Sequence, residues 1–226
     1  MKFKAAIFDL DGTLIDSTWV WGVMIEKFCN VLDIKEELKC MEQTAHMPPT
    51  EFINFIKEKY SLKKEVLEIK EILLNTALEF YYEKVNLKKG VKRLLNLMKQ
   101  NSIKMAIATS CFVELTEIVL KKWEIYDMFS FFSYSEKLNT NKKSAKVYIE
   151  AANFMKLKCD ECGVFEDIFL PLEDAKKHGF GYFAVEDNNR TKETKIKLQT
   201  CSDCYIKDYD DFIDSGDFEK FFNVKN

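Results

Sequence analysis

Two aspartates stand two residues apart, directly after a short apolar run near the start of the chain. Residues 3–9 read FKAAIFD, and Asp11 follows Asp9 in the string FDLDGTLIDS. Residues i and i+2 of an extended chain project to the same side, so we expect the two carboxyl groups side by side. Carboxyl groups this close repel each other unless one is protonated or a cation lies between them. The pair therefore indicates a nucleophile and a proton-transfer group beside a bound cation.

The elements that must position this pair follow from the pattern after Gly90, where strand-like and helix-like segments alternate. Strands are predicted over 103–108, 129–133, 162–166, 181–185 and 204–207, and helices over 91–100, 112–123, 144–156 and 171–178. This alternation predicts an α/β fold with a doubly wound parallel sheet, in which residues 3–9 form a buried strand. Ligands bind at the carboxyl edge of such sheets. Asp9 and Asp11 are therefore predicted to lie at the ligand-binding edge.

A second pattern interrupts this alternation after its first strand. Residues 17–85 read as successive helices, predicted over 19–33, 36–45, 50–60 and 64–84. We therefore predict a core formed by residues 1–15 and 87–226, with residues 16–86 as an inserted all-helical domain. The insert is either a lid over the active site or an extra packing layer, and the pattern alone does not distinguish them.

The composition excludes several classes of protein. The hydrophobic share of 47% and the aromatic share of 14% are typical of a globular chain. The formal net charge of -3 gives no basic face of the kind that nucleic-acid binding requires. No apolar run is long enough to span a bilayer, and the N-terminus has no signal-peptide pattern. We expect a soluble, cytoplasmic monomer that binds neither nucleic acid nor membrane.

Four motifs in order resemble those of the haloacid dehalogenase superfamily of phosphotransferases. FDLDGTLID is similar to the first motif, and IKMAIATS supplies Thr109 and Ser110 as the second. NKKSAKVY places Lys142 at the lysine position of the third, and GVFED supplies Glu166 and Asp167 as the fourth. The resemblance covers residues 3–186, and the helical insert resembles the cap of the subgroup that contains β-phosphoglucomutase and phosphoglycolate phosphatase.

The resemblance implies a role for each motif residue. Asp9 attacks phosphorus and forms an aspartyl-phosphate, while Asp11 protonates the leaving oxygen and then activates water. A Mg2+ cofactor is implied, with ligands from Asp9, Asp11 through its main-chain carbonyl, Asp167 and Glu166. The transferring phosphoryl group would be bound by Thr109, Ser110 and Lys142. The chain departs from the family pattern where Asn141 replaces a Gly, and where Ile168 and Pro171 replace a Ser and a Gly.

The same residues bear on the type of reaction. Asp11 argues against dehalogenation, because a dehalogenase has no leaving oxygen to protonate. A sugar-phosphate mutase needs basic cap residues for a second phosphate, and the sequence has no Lys or Arg between Lys39 and Lys57. A phosphatase of small phosphorylated metabolites is therefore predicted, with the mutase as the alternative and a non-catalytic binding protein as a third reading. Trp21 and His46 are predicted to select the substrate.

Two Cys-x-x-Cys pairs form a separate candidate site. Cys159 and Cys162 precede one predicted strand, and Cys201 and Cys204 precede the last. If these strands lie two positions apart, the pairs are about 10 Å apart, and loops could close around one zinc ion. Burial of the cysteines at strand starts is the alternative, and the sequence leaves both open.

Overall fold

Parallel strands form the centre of the molecule in the computed structural model, which describes residues 2–34, 47–141 and 144–224. One parallel sheet contains six strands: β1 (Ala5–Phe8), β4 (Lys104–Thr109), β5 (Phe131–Tyr134), β6 (Cys162–Glu166), β7 (Gly181–Val185) and β8 (Cys204–Ile206). Their order in the sheet is β5-β4-β1-β6-β7-β8. This arrangement confirms the predicted α/β class.

Helices cover both faces of this sheet. Those that follow the sheet strands are α4 (Val91–Gln100), α5 (Val113–Lys122), α6 (Lys146–Phe154), α7 (Phe169–Lys177), α8 (Lys192–Cys201), α9 (Tyr209–Asp214) and α10 (Asp217–Phe221). The helices that precede α4 in the chain are α1 (Thr18–Val31), α2 (Pro49–Lys59) and α3 (Val66–Glu83). Short 3-10 turns occur at Tyr126–Met128 and Cys159–Glu161.

Strand β1 lies between β4 and β6, and side-chain layers on both sides of the sheet bury its two faces. Its side chains alternate between the two sides, as the two-residue period of a strand requires. Ala5 and Ile7 pack with α6 and α7, whereas Ala6 and Phe8 pack in the layer that holds α1 to α5. The strand that ends beside the first aspartate is thereby fixed from both sides.

A two-stranded antiparallel pair marks the start and the end of the helical segment. β2 (Ile15–Asp16) pairs with β3 (Asn86–Leu87), with Ile15 opposite Leu87 and Asp16 opposite Asn86. Between them, α1 and α2 pack against α3, and α3 packs against α5 of the main layer. The two crossings of the chain therefore lie side by side, next to the end of β1.

The boundaries differ from the predicted ones in two informative places. The strand predicted over 129–133 begins only at Phe131, because residues 126–128 form a 3-10 turn and the strand starts after it. Helix α8 is absent from the sequence prediction because it buries only Leu198 and so lacks an apolar stripe. Its N-cap is Thr191, whose side chain accepts a hydrogen bond from the Thr194 backbone N–H. The helix predicted over 36–45 lies outside the described residues.

Among the described residues, no helix combines the length and the apolar character needed to cross a membrane.

Candidate active site

The carboxyl ends of four neighbouring strands surround one cavity of about 210 Å3. Asp9 follows β1, Thr109 ends β4, and Asp167 follows β6. The loop after β7 contributes Asn189 and Arg190. Both aspartates of the first motif, Thr109 and Ser110 line this cavity. The predicted edge of the sheet is therefore where polar side chains and open space coincide.

Three carboxylate groups lie close together at this edge of the sheet. Asp9, Glu166 and Asp167 are buried, and one oxygen of each lies within 4.8 Å of the others. Oδ1 of Asp167 is buried and accepts no hydrogen bond from any described residue. Hard carboxylate oxygens at this separation suit Mg2+, which prefers oxygen ligands. The donor set therefore fits the metal that the sequence predicts.

Gly12 makes this close arrangement possible. Its φ of +80° lies in the left-handed region, and a Cβ there would collide with the Asp167 carboxylate. The same Cβ would lie 2.8 Å from the Thr18 methyl carbon. A side chain at position 12 would therefore separate the first motif from the fourth.

Two hydroxyl groups hold Asp11 beside the acidic cluster. The Ser17 hydroxyl donates to Oδ1 of Asp11 at 2.6 Å, and the Tyr81 hydroxyl donates to the same oxygen. Burial raises the pKa of Tyr81 well above its ordinary value, and the negative charge of Asp11 raises it further. Tyr81 therefore stays protonated and remains a donor. Because it belongs to α3, the helical segment reaches directly into the site.

Arg190 is the basic residue among the described residues that line the cavity. Its Nε and Nη2 lie 2.7 and 2.6 Å from Oδ2 of Asp167, and its side chain is only 17% exposed. Burial is the largest single influence and lowers its pKa, but the negative charges of Asp167, Asp187 and Glu166, together with the hydrogen bond to Asp167, raise that pKa above the ordinary value. Arg190 is therefore a permanent cation beside the carboxylate cluster.

The turn after β4 provides a cluster of polar groups. Thr109 is buried, and its Oγ1 accepts a hydrogen bond of 3.0 Å from the Cys111 amide. The Ser110 hydroxyl accepts one of 2.9 Å from the Ser135 hydroxyl. Burial and the charge of Asp11 raise the pKa of the Cys111 thiol well above its ordinary value. Cys111 is thus held as a neutral thiol, while Thr109 and Ser110 provide the hydroxyl groups.

A third buried aspartate, Asp187, joins the helical segment to the sheet edge. Asp187 accepts a hydrogen bond of 2.8 Å from the Thr18 hydroxyl, and Lys88 lies 3.4 Å from its other oxygen. The side-chain amide of Asn189 donates to Thr18 Oγ1 at 2.7 Å. These contacts connect the start of α1, the loop after β3 and the loop after β7.

The structure places most of the predicted site residues in one region. Trp21 lines the cavity and meets the Tyr81 ring edge to face, with centroids 6.4 Å apart. Glu166 lies behind the cavity in the carboxylate cluster. Lys142 and His46 lie outside the described residues.

The cysteine pairs occupy the opposite edge of the sheet. Strands β6 and β8 lie two positions apart, as the zinc hypothesis requires. However, Cys162 packs in the layer of α6 and α7, whereas Cys204 packs against the other layer. Within the described ranges, the carboxylate cluster is the only group of three or more potential ligands close enough for one ion. The structure therefore favours burial of the cysteines over a shared zinc ion.

Three residues of the site were not predicted. For Ser17, the sequence offered one clue, its position six residues after Asp11 and close to the first motif. For Arg190, the clue was a loop that follows a strand at the carboxyl edge. For Tyr81, the sequence offered no clue, since its position depends on how α3 packs over the sheet.

The family model described as "Haloacid dehalogenase-like hydrolase" matches residues 6–185 of the chain. Among curated proteins, the chain is 28% identical over 193 residues to a bifunctional riboflavin kinase/FMN phosphatase of Arabidopsis thaliana. That match covers 80% of this chain and 48% of the plant protein, so the chain spans about half of that relative. It is 25% identical over 220 residues to hexitol phosphatase B of Escherichia coli O157:H7, covering 92% and 96% of the two chains.

Solved structures share the fold at low identity. A β-phosphoglucomutase from Clostridium difficile superposes with a TM-score of 0.78 at 18% identity, covering 96% of this chain and 98% of that one. CbbY from Rhodobacter sphaeroides, solved with phosphate, gives a TM-score of 0.78 at 16% identity, covering 93% and 96%. At these identities the likeness concerns the fold.

Proposed function

Because the chain belongs to the haloacid dehalogenase-like hydrolases, we propose that it is a Mg2+-dependent phosphatase of a small phosphorylated metabolite. One arrangement supports this most directly: Asp9 and Asp11 line the same cavity, and Asp9 also belongs to the buried carboxylate cluster. The phosphatase relatives support the same class of reaction.

In the proposed reaction, an oxygen of Asp9 forms a bond to phosphorus as the bond between phosphorus and the leaving oxygen breaks. The product is an aspartyl-phosphate and an alcohol. Water then attacks the phosphorus, which releases inorganic phosphate and regenerates the Asp9 carboxylate. Covalent catalysis divides one difficult displacement into two easier ones. Asp9 is suited to this role because it lies at the end of the rigid, doubly packed β1.

Asp11 transfers the protons in both steps. It gives a proton to the leaving oxygen in the first step and takes one from water in the second. The Ser17 and Tyr81 hydroxyls, both on Oδ1, fix the plane of its carboxyl group. Such fixed geometry is what efficient proton transfer requires.

Asp9, Glu166 and Asp167 would hold the Mg2+ ion, with the main-chain carbonyl of Asp11 as a further ligand. When bound, the ion neutralises negative charge that accumulates around the transferring phosphoryl group. The chain supplies further positive charge and donors of its own. Arg190 lies beside Asp167 and lines the cavity, and Thr109 and Ser110 line the same cavity at the end of β4. We propose that these groups, with Lys142, bind the phosphoryl oxygens.

We propose further that residues 16–86 form a cap over a core of residues 1–15 and 87–226. The β2–β3 pair brings the two crossings together, and Trp21, Phe52 and Leu73 from the helical segment line the cavity. A lid in this position would exclude water from the reacting groups during the first step.

The residues that line the cavity suit phosphatase activity better than sugar-phosphate mutase activity. A mutase must bind a second phosphate with basic groups from the cap. The described residues of the helical segment that line the cavity carry no charge: Thr18 is polar, and the others are apolar. Water is therefore the favoured acceptor of the phosphoryl group.

Phosphate release from a panel of phosphate esters tests the proposal. With the purified protein and Mg2+, we expect release from several monoesters, and we expect EDTA to abolish it. Release that persists in EDTA would contradict the metal requirement. No release from any ester, by a protein that unfolds cooperatively, would contradict the phosphatase assignment.

The Tyr81→Phe substitution tests whether the helical segment positions Asp11. Loss of a hydrogen bond to a charged group costs about 1.5–3 kcal/mol, so we expect kcat/KM for an alkyl phosphate to fall about 10- to 150-fold. For p-nitrophenyl phosphate we expect little change, because its leaving group departs without a proton. The ratio kcat/KM is the right measure, since it reports the steps up to release of the alcohol.

Tyr182→Phe is the matched control. Tyr182 is buried on β7, and its hydroxyl has no hydrogen-bond partner among the described residues. We expect both substrates to react with this variant as with the wild type. An equal loss for both substrates in Tyr81→Phe would indicate a structural role only.

A further inference from the structure

The cavity divides into a polar end and an apolar end. The polar end holds both aspartates of the first motif, the Thr109 turn and Arg190. The walls on the other side come from the described residues of the helical segment, with the side chains of Trp21, Ile25, Met47, Pro49, Phe52 and Leu73. Thr18 is the polar side chain that the described part of this segment adds to the lining, and its hydroxyl already bonds Asp187 and Asn189.

These walls offer few partners for hydroxyl groups. Ile25, Phe52 and Leu73 are buried, at 7%, 8% and 1% exposure. Of the six wall side chains, Trp21 alone carries a strong hydrogen-bond donor, its indole N–H. A polyol placed here would leave hydroxyl groups without partners, and each such loss is costly. An apolar group would instead gain from burial.

The size of the cavity sets a further limit. At about 210 Å3 it lies below the range of about 300–1,000 Å3 that is usual for drug-sized ligands. A phosphoryl group together with one ring or a short branched chain is therefore a better match than a large leaving group.

From the apolar walls and the small volume, we propose that this site selects phosphate monoesters whose leaving group is small and apolar or aromatic, over polyol phosphates. The inference depends on the proposed phosphatase function and specifies its substrate class. Charge at the Arg190 end binds the phosphoryl group, and the walls bind the group that leaves.

Benzyl phosphate and sorbitol 6-phosphate test this preference. Both release a primary alcohol, so both need the same proton from Asp11. Burial of the ring predicts a kcat/KM at least about 10-fold higher for benzyl phosphate. An equal or higher value for sorbitol 6-phosphate would overturn the substrate class while leaving the phosphatase function intact. No release from either, or from any other monoester, would overturn the function and the substrate class together.

A pair of variants on one helix tests the wall itself. Leu73→Ala removes a wall side chain, whereas Ile69→Ala removes a fully buried side chain one turn earlier that does not line the cavity. We expect Leu73→Ala to lower the preference for benzyl phosphate about 5-fold and Ile69→Ala to leave the preference unchanged. The milder Leu73→Val serves if Leu73→Ala does not fold. An unchanged preference in a folded Leu73 variant would overturn the assignment of the wall.

Discussion

Replacement of Asp9 by asparagine is expected to reduce turnover of every phosphate ester by at least about 10,000-fold, the scale of losing a covalent nucleophile. The amide is nearly the same size as the carboxyl group but cannot attack phosphorus. Steady-state phosphate release with Mg2+ measures the loss. Because the site is built on a rigid strand between β4 and β6, we expect the variant to retain cooperative unfolding.

Asp16→Asn is the matched control for this loss. Asp16 lies in β2, is exposed, and does not line the cavity. We expect its activity to equal that of the wild type. Substantial turnover by a folded Asp9→Asn protein would exclude Asp9 as the nucleophile.

The second large effect is expected at Asp11. Loss of a general acid typically costs 100- to 10,000-fold, so Asp11→Asn should reduce kcat/KM for benzyl phosphate within that range. For p-nitrophenyl phosphate, kcat/KM should fall far less, because its leaving group needs no proton. Its kcat should still fall, because the second step loses the base that activates water.

Pre-steady-state kinetics separate these two steps. With p-nitrophenyl phosphate, Asp11→Asn should give a burst of p-nitrophenol followed by a slow steady state. Equal losses of kcat/KM for the two esters, with no burst, would show that Asp11 is not the proton-transfer group.

The position of the site was predictable because the first, second and fourth motifs each lie at the end of a strand. In a parallel sheet, the carboxyl ends of neighbouring strands meet at one edge. Asp9, Thr109 and Asp167 come together for this reason, although they are distant in the sequence. The strand order β4-β1-β6 makes the three positions adjacent. The same rule applies to Arg190, because its loop follows β7 at the same edge, although an arginine in a polar loop does not by its residue type indicate a site.

The contribution of the helical segment was not predictable in the same way. Its helices were visible from their apolar content, but their packing over the sheet depends on contacts between α3 and α5. Those contacts decide that Tyr81, in particular, reaches Asp11. The polarity of the cavity walls likewise follows from which helix faces meet, so the sequence alone could not indicate an apolar leaving group.

The cysteine pairs show the limit of spacing as a guide. The two strands that they precede lie two positions apart, as the zinc hypothesis requires. However, the alternation of side chains along a strand sends Cys162 and Cys204 into opposite layers. A site shared by all four cysteines is therefore disfavoured, because the sheet separates Cys204 from the other three.

Covalent trapping tests the central claim most directly. The Asp11→Asn protein would be mixed with a 32P-labelled phosphate ester and Mg2+, quenched in acid, and digested into peptides. We predict one labelled peptide, the one that contains Asp9, with no label when Asp9 is also replaced by asparagine. Turnover without any labelled peptide, or label on another residue, would contradict an aspartyl-phosphate at Asp9.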